Sequence, residues 1–319
     1  MPLRIVFCGT PAFGLPTLQA LLKDSHVFVE GVITQPDRPR GRGQQPAESP
    51  IKQAAENAGI AVHQPEKIRA GATTEWLKEV SPDAVVIIAY GQIIPRELLG
   101  IPKLGWLNLH GSLLPKYRGA APVQRAILAG EKRTGLTTMR IDAGLDTGPI
   151  LEQREIEIRP DETAFELMAR MSEIGAPMML ETLQKLASGE LTPKPQDHSL
   201  ATYAPPISKE EGLIDWELPA AAIYNRIRAF APWPGAYTRF RGRLCHIWGK
   251  PANATYHPVT HEAGNAGKII HRGQRLLVTC GEHSFLELES VRLEGRRRVT
   301  PLEFANGARL TDHDRFTSK

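Results

Sequence analysis

Apolar positions in the first half of the chain fall into short runs separated by amphipathic segments. Residues 3–8, 27–33 and 84–89 read as strands, and the run Ala-Val-Val-Ile-Ile-Ala at 84–89 is continuous enough for burial on both faces. After the first strand, Phe13, Leu15, Leu18, Leu21 and Leu22 fall on roughly one side of a helix. Further helices are predicted at 51–58, 74–80 and 120–129, with a short strand at 107–110 and a threonine-rich one at 135–141. Two helical segments, 164–171 and 177–188, end the region. Strands alternating with helices predict an α/β unit built on a mostly parallel sheet covered on both sides.

The pattern changes after residue 189. Residues 190–208 are proline-rich without an apolar period and read as a linker between a first domain, 1–189, and a second, 209–319. In the second, a helix is predicted at 220–229. Short strands follow at 236–240, 244–248, 268–270, 276–279 and 285–293, between glycine-containing turns, which predicts a small β-barrel or sandwich. Trp233, between Pro232 and Pro234, reads as an inter-domain packing element rather than a base-stacking platform.

Composition narrows the class. With 319 residues, 41% hydrophobic and 23% charged, general disorder is excluded. The longest strongly apolar stretch, 84–89, is far short of the ~20 residues of a membrane span. No apolar leader opens the chain, so no membrane partner and a cytoplasmic location are expected. Cys8, Cys245 and Cys280 are odd in number and scattered, which argues against disulfides and a cysteine-rich metal site. The histidines are dispersed, so no metal is expected. Residues 1–204 carry 22 Lys and Arg against 23 Asp and Glu, whereas 205–319 carry 17 against 12. A basic second half points to a polyanionic partner on that side.

Candidate chemistry lies in three places. The turn Cys8-Gly9-Thr10-Pro11-Ala12-Phe13-Gly14 follows a strand and precedes a helix, yet lacks the Gly-x-Gly-x-x-Gly pattern of a dinucleotide site. In residues 105–115, Asn108 and His110 leave an extended segment on one face beside Gly111, while Leu107 and Leu109 face the other way. A carboxylate is the natural third member, and Asp142 and Asp146 lie close by among Gly144 and Gly148. Nothing in their spacing chooses between them, and either can cap a turn. Finally, Arg38, Arg40 and Arg42 alternate with Pro and Gly in a segment that predicts a mobile basic loop suited to phosphates.

At these positions the sequence resembles the methionyl-tRNA formyltransferases. The resemblance is carried by Phe7-Cys8-Gly9-Thr10-Pro11, by Asn108-Leu109-His110-Gly111-Ser112-Leu113-Leu114-Pro115 with Tyr117-Arg118-Gly119, and by residues 141–148. Residues 212–216, 227–230 and 232–236 extend it through the second half. It implies a Rossmann-like formyltransferase domain followed by a smaller OB-like β-barrel. It makes Asn108, His110 and Asp146 the catalytic set, and thereby selects Asp146 over Asp142. A folate cleft is implied at Ile87, Ile88, Ala89, Tyr90, Gly91, Gln92 and Ile93, at Ser112, Leu113, Leu114 and Pro115, and at Arg140, Ile141, Asp142, Ala143 and Gly144.

The implied reaction moves the formyl group of 10-formyltetrahydrofolate to the α-amino group of methionine on initiator tRNA. Arg38, Arg40 and Arg42 are expected to hold the acceptor stem and 3′ end, with Arg42 as the foremost contact. Lys209, Arg292, Arg296, Arg297 and Arg298 are expected to grip phosphates. A monomer is the default. The competing readings are a formyltransferase with a small amine acceptor, such as glycinamide ribonucleotide or an amino sugar nucleotide, and a non-catalytic tRNA-binding protein.

Overall fold

The continuous apolar runs pair side by side, because a strand without a polar face needs neighbours and covering helices on both sides. The computed structural model describes residues 1–40, 45–69, 71–253 and 265–318. The chain divides into two units, one comprising Met1–Pro122, Arg133–Glu157 and Met168–Ala204, the other Val123–Lys132, Ile158–Leu167 and Pro205–Lys319.

In the first unit, β1 (Leu3–Gly9) and β2 (Val27–Ile33) precede a separate antiparallel hairpin of β3 (Arg38–Arg40) and β4 (Gln45–Ala47). Then come β5 (Val62–His63), β6 (Ala84–Ile88), β7 (Trp106–His110), β8 (Arg133–Arg140) and β9 (Ile150–Glu157). Without the hairpin they form a seven-stranded sheet in the order β5-β2-β1-β6-β7-β8-β9. β5, β2, β1, β6 and β7 run parallel, and β8 and β9 add antiparallel pairings. Strand order reverses between β1 and β6, so the loops leaving their carboxyl ends diverge and open a crevice, the usual ligand position in such sheets. Gly9 is needed there, since a Cβ would lie 2.8 Å from the Ile88 carbonyl oxygen.

Helices cover the sheet as the spacing predicts. α1 (Leu15–Lys23) buries Leu18 and Leu21. α2 (Pro50–Asn57) starts at Ser49, whose hydroxyl accepts from the Lys52 amide at 3.0 Å, with proline in the first turn. α3 (Gly71–Val80) and α4 (Arg96–Leu99) follow, whereas α5 (Pro122–Leu128) falls, after its first residue, in the second unit.

Three features differ from the sequence pattern. β9 was not predicted: it mixes Ile150, Leu151 and Ile156 with Glu152, Gln153, Arg154 and Glu155, because an edge strand needs few apolar positions. The two helices expected at 164–171 and 177–188 are one, α6 (Ala164–Ser188), with Pro177 inside it. The proline removes one donor without ending the helix, and Gly175 nearby makes room for the Leu109 side chain. Lastly, the proline-rich stretch is tied down as far as residue 204. Lys194 exchanges both backbone hydrogen bonds with Ile150 at 2.8 Å, and the Ala204 amide donates to the Arg118 carbonyl at 2.7 Å.

The second unit holds α7 (Ala220–Ala229), then β10 (Tyr237–Phe240), β11 (Arg243–Pro251), β12 (Ile269–Arg272), β13 (Arg275–Thr279) and β14 (Phe285–Leu293). α8 (Pro301–Ala308) and β15 (Phe316–Thr317) complete it. The strands form one antiparallel sheet in the order β12-β13-β14-β11-β10-β15. Its two edges meet, with Phe316 donating to the Gly267 carbonyl at 2.8 Å and Ile269 to the Asp314 carbonyl at 3.1 Å. Closure makes the expected small barrel, filled by Trp216, Phe240, Ile247, Leu276, Leu286, Phe304 and Phe316. Trp233 is 61% exposed, and the neighbouring Pro234 is the buried member of that turn. Among the described residues no helix is long and apolar enough to cross a membrane. The three cysteines are free and buried, and burial pushes the Cys245 and Cys280 thiols up to about 12.

Candidate active site

β7 presents the central polar pair. Its alternation sends Leu109 against α6 and leaves Asn108 and His110 on the opposite face. Register places Asn108 between Ile87 of β6 and Met139 of β8, with His110 beside Thr137. The Asn108 side chain makes no hydrogen bond among the described residues. His110 is buried, and its Nε2 lies 2.9 Å from the Tyr117 carbonyl oxygen. A carbonyl only accepts, so Nε2 carries a proton and Nδ1 is the nitrogen left to gain or lose one. That Nδ1 lies 3.7 Å from Asp146 Oδ2, an electrostatic contact longer than a hydrogen bond.

The structure separates the two aspartates. Asp142 is occupied locally, accepting from the Gly144 amide at 3.0 Å and the Thr147 hydroxyl at 2.6 Å, so it holds the loop in shape. Asp146 instead accepts from the Gly119 amide at 2.8 Å and turns towards His110. It sits at φ 51°, a strained value for a residue with a side chain. The fixing comes from two residues that sequence reasoning did not single out. Gln196 donates to the carbonyls of Asp146 at 2.9 Å and Gly148 at 2.7 Å, and accepts from the buried Arg118 guanidinium at 2.6 and 3.1 Å. Arg118 belongs to a motif noted above, but Gln196 lies in the proline-rich stretch, where no period or motif marks it. Glycine is required at 148, where a Cβ would run into the Arg140 carbonyl.

The other residues expected at the cleft lie on β6, on the loops that follow β6 and β7, and at the end of β8 and just beyond it. Ile87 and Ile88 are buried in β6, and the chain turns sharply beyond them, with Ala89 at φ 49° and Gly91 at φ 88°. Tyr90 is buried, Ile93 is 85% exposed, and Gly91, Gln92 and Ile93 make no backbone hydrogen bond among the described residues. The turn at Ser112, Leu113, Leu114 and Pro115 is held by Thr137, whose hydroxyl donates to the Ser112 carbonyl at 2.6 Å and accepts from the Leu114 amide at 3.1 Å. Arg140 ends β8, Ile141 donates to the Trp106 carbonyl at 2.8 Å, and Ala143 and Gly144 are exposed. Among the described residues no group of three His, Cys, Asp or Glu is placed to hold a metal ion.

The basic residues are distributed differently. Arg38 is exposed and 3.1 Å from Glu66, Arg40 lies in β3, and Arg42 lies outside the described residues. In the second unit, Arg298 stacks over Trp248 at 4.1 Å and Arg292 over the same ring at 5.8 Å. Burial, then the charges of Arg292 and Lys209, hold the His246 imidazole below its usual value, so Lys209 belongs to this cluster. Arg296 and Arg297 line a cavity with an apolar floor of Phe240, Leu293, Val299 and Phe304, and Arg297 pairs with Glu303 at 2.7 Å.

Comparison with known proteins shows the family. Residues 3–183 match the formyl transferase family, and residues 206–309 match the formyl transferase C-terminal domain. The methionyl-tRNA formyltransferase of Solibacter usitatus is 50% identical over 314 residues, 98% of this chain and 98% of that one. That of Geobacter metallireducens is 46% identical over 309 residues, 97% of this chain and 96% of the other. Two solved structures share the fold. An N-formyltransferase from Helicobacter canadensis, in complex with folinic acid and dTDP-3-aminofucose, is 19% identical with a TM-score of 0.64, covering 93% of this chain and 100% of that one. The methionyl-tRNA formyltransferase from Clostridium thermocellum is 19% identical with a TM-score of 0.57, covering 80% and 95%.

By class this is a formyl transferase, an enzyme of one-carbon group transfer. More narrowly, the chain belongs to the methionyl-tRNA formyltransferase family.

Proposed function

We propose that this enzyme transfers the formyl group of 10-formyltetrahydrofolate to the α-amino group of methionine esterified to initiator tRNA, with Asn108, His110 and Asp146 as the catalytic residues. The observation that carries the reading is the convergence of an unpaired amide, an imidazole and a carboxylate at the carboxyl edge of the sheet, with His110 Nδ1 3.7 Å from Asp146. The donor supplies an activated formyl carbon. Around it, the uncommitted backbone of Gly91, Gln92 and Ile93 fits the alternating donors and acceptors of a pterin edge. The remaining cleft positions are the segments at 87–90, 112–115 and 140–144 described above.

The chain's own groups then act in sequence. The attacking α-amine titrates near ~7.7–8.0, so a usable fraction is neutral at ordinary pH. As it adds, negative charge grows on the formyl oxygen, and the Asn108 amide donates to it. The His110 ring, its Nδ1 3.7 Å from Asp146, faces the same site and can exchange a proton there. Asp146 also offers an acceptor for the proton that the amine must lose; collapse of the adduct then breaks the bond between the formyl carbon and N10, N10 takes up a proton, and tetrahydrofolate leaves.

The domain roles follow: residues 1–189 carry the chemistry, 190–208 connect, and 209–319 bind tRNA as a barrel. Arg38, Arg40 and Arg42 contact the acceptor stem and 3′ end, while Lys209, Arg292, Arg296, Arg297 and Arg298 contact phosphates. The enzyme works in the cytoplasm as a monomer, without a metal. Formylation assayed with one folate donor and three acceptors tests the assignment. Methionyl initiator tRNA should be the acceptor used; turnover of glycinamide ribonucleotide or an amino sugar nucleotide in its place would overturn it.

A further inference from the structure

Gln35 lies just beyond β2, half-buried, and all four of its hydrogen-bonding groups reach different residues. Its amide donates to the Thr10 hydroxyl at 3.3 Å and its carbonyl accepts from Gln64 Nε2 at 3.0 Å. Its side-chain Nε2 donates to the Tyr90 carbonyl at 3.0 Å, and its Oε1 accepts from Gln92 Nε2 at 3.2 Å. The cleft loop approaches closely here: a Cβ on Gly91 would lie 4.0 Å from Gln35 Nε2.

The same connections continue towards the basic hairpin. Gln64 Nε2 also donates to Asp37 Oδ1 at 2.9 Å, and Asp37 Oδ2 takes the Lys52 ammonium at 2.5 Å. The Lys52 hydrogen bond is the main reason the Asp37 carboxyl sits below its ordinary value. Thr34 and Ser49, the residues at the two feet of the β3–β4 hairpin, share a buried hydroxyl–hydroxyl bond of 2.9 Å. On the other side, Gln92 Oε1 accepts from the Ile68 amide at 2.8 Å, and its Nε2 also reaches the Glu66 carbonyl at 3.2 Å. One polar network therefore ties the feet of the hairpin to the loop at 89–93.

We infer that Gln35 is a positioning residue that couples the two substrates, so that folate on the 89–93 loop and tRNA on the β3–β4 hairpin each tighten binding of the other. The inference rests on the placement of the two substrates proposed above. A ligand that immobilises the loop also immobilises Gln35, and through it Gln64 and Asp37. The second ligand then meets β3 and β4 with their feet already held through Gln64 and Asp37. Linkage makes the effect reciprocal. A glutamine is suited to the position because it donates and accepts at once; a carboxylate would face the Tyr90 carbonyl with no proton to offer.

The test measures the Kd of the full-length enzyme for methionyl initiator tRNA, with and without saturating 5-formyltetrahydrofolate. In the wild type, folate should tighten tRNA binding by about fivefold or more, the lower range of ordinary coupling. Gln35→Ala and Gln35→Glu should bring the ratio close to one while both substrates still bind. Gln64→Ala cuts only the hairpin side, so it should lose the coupling and keep the wild-type folate Kd. It carries the test if the Gln35 variants do not fold. A wild-type ratio of one, or a wild-type ratio preserved in Gln64→Ala, overturns the inference, since direct contact between the substrates would survive that substitution. Failure of the wild type to bind either substrate would instead overturn the proposed function.

Discussion

The sheet edge and the barrel use polar groups in opposite ways. Around β7 the important ones are held in a hydrogen-bonded frame: Gln196 holds the backbone of Asp146, Thr137 holds the 112–115 turn, and the Tyr117 carbonyl sets the ring of the buried His110. In the barrel the arginines are mostly exposed, and those with partners, such as Trp248, Glu303 and Asp314, keep their own side chains largely in solvent. Chemistry needs atoms fixed to within fractions of an ångström, which demands a buried, cross-connected frame. Binding a long polyanion needs charge at roughly the right place, which tolerates mobile side chains.

This contrast can be broken by experiment. The largest expected effect is at the sheet edge, where Asn108→Ala should lower kcat/KM by ~10²–10³, the usual result of losing one oxyanion donor, without changing the thermal midpoint. Near-wild-type turnover would remove Asn108 from the chemistry. Gln196→Ala touches no proposed substrate position, yet should reduce kcat by about tenfold through misplacement of Asp146, with KM for tRNA little changed. A loss seen only in KM would count against the positioning role.

In the barrel, Arg241→Ala should act on stability alone. Its guanidinium donates twice to Asp314 at 2.8 Å and is the main reason that carboxyl sits at about 2. Because the folded value is depressed, the contribution is complete above the ordinary carboxylate pKa and is lost as pH falls towards about 2. With Arg241 half exposed, solvent screening keeps the loss at pH 7 modest. Denaturant midpoints measured from pH 7 down to pH 2 should converge for the two proteins; a constant gap would refute the pairing as the cause. The smallest effect is expected for Arg298→Ala, a few-fold weaker tRNA binding with a salt slope shallower by about one charge. An unchanged slope would place Arg298 outside the tRNA surface.

Much of the fold was legible because its signals are local. The strand at Val27–Ile33, the helix at Ala220–Ala229 and the strand at Phe285–Leu293 fall where the apolar pattern puts them. β9 and the continuity of α6 were not legible, since an edge strand needs little apolar character and a single proline need not end a helix. In the candidate site, alternation alone put Asn108 and His110 on one face. Choosing between Asp142 and Asp146 was different in kind. Residue spacing left both open; the family resemblance chose Asp146, and the structure shows the physical distinction, with one carboxylate tied to its own loop and the other facing the imidazole.

By itself, then, the amino-acid sequence determined the periodic elements, the split between an α/β region and a basic all-β region, and the pairing of Asn108 with His110, because each follows from neighbours a few residues apart. Only tertiary structure decided the closure of the barrel, the anchoring of Asp146 by Gln196 and Arg118, and the network that gathers Thr10, Gln64, Tyr90 and Gln92 around Gln35. Those contacts join segments far apart in the chain, and a hydrogen bond between distant residues leaves no period, cap or turn signal in the sequence around either partner.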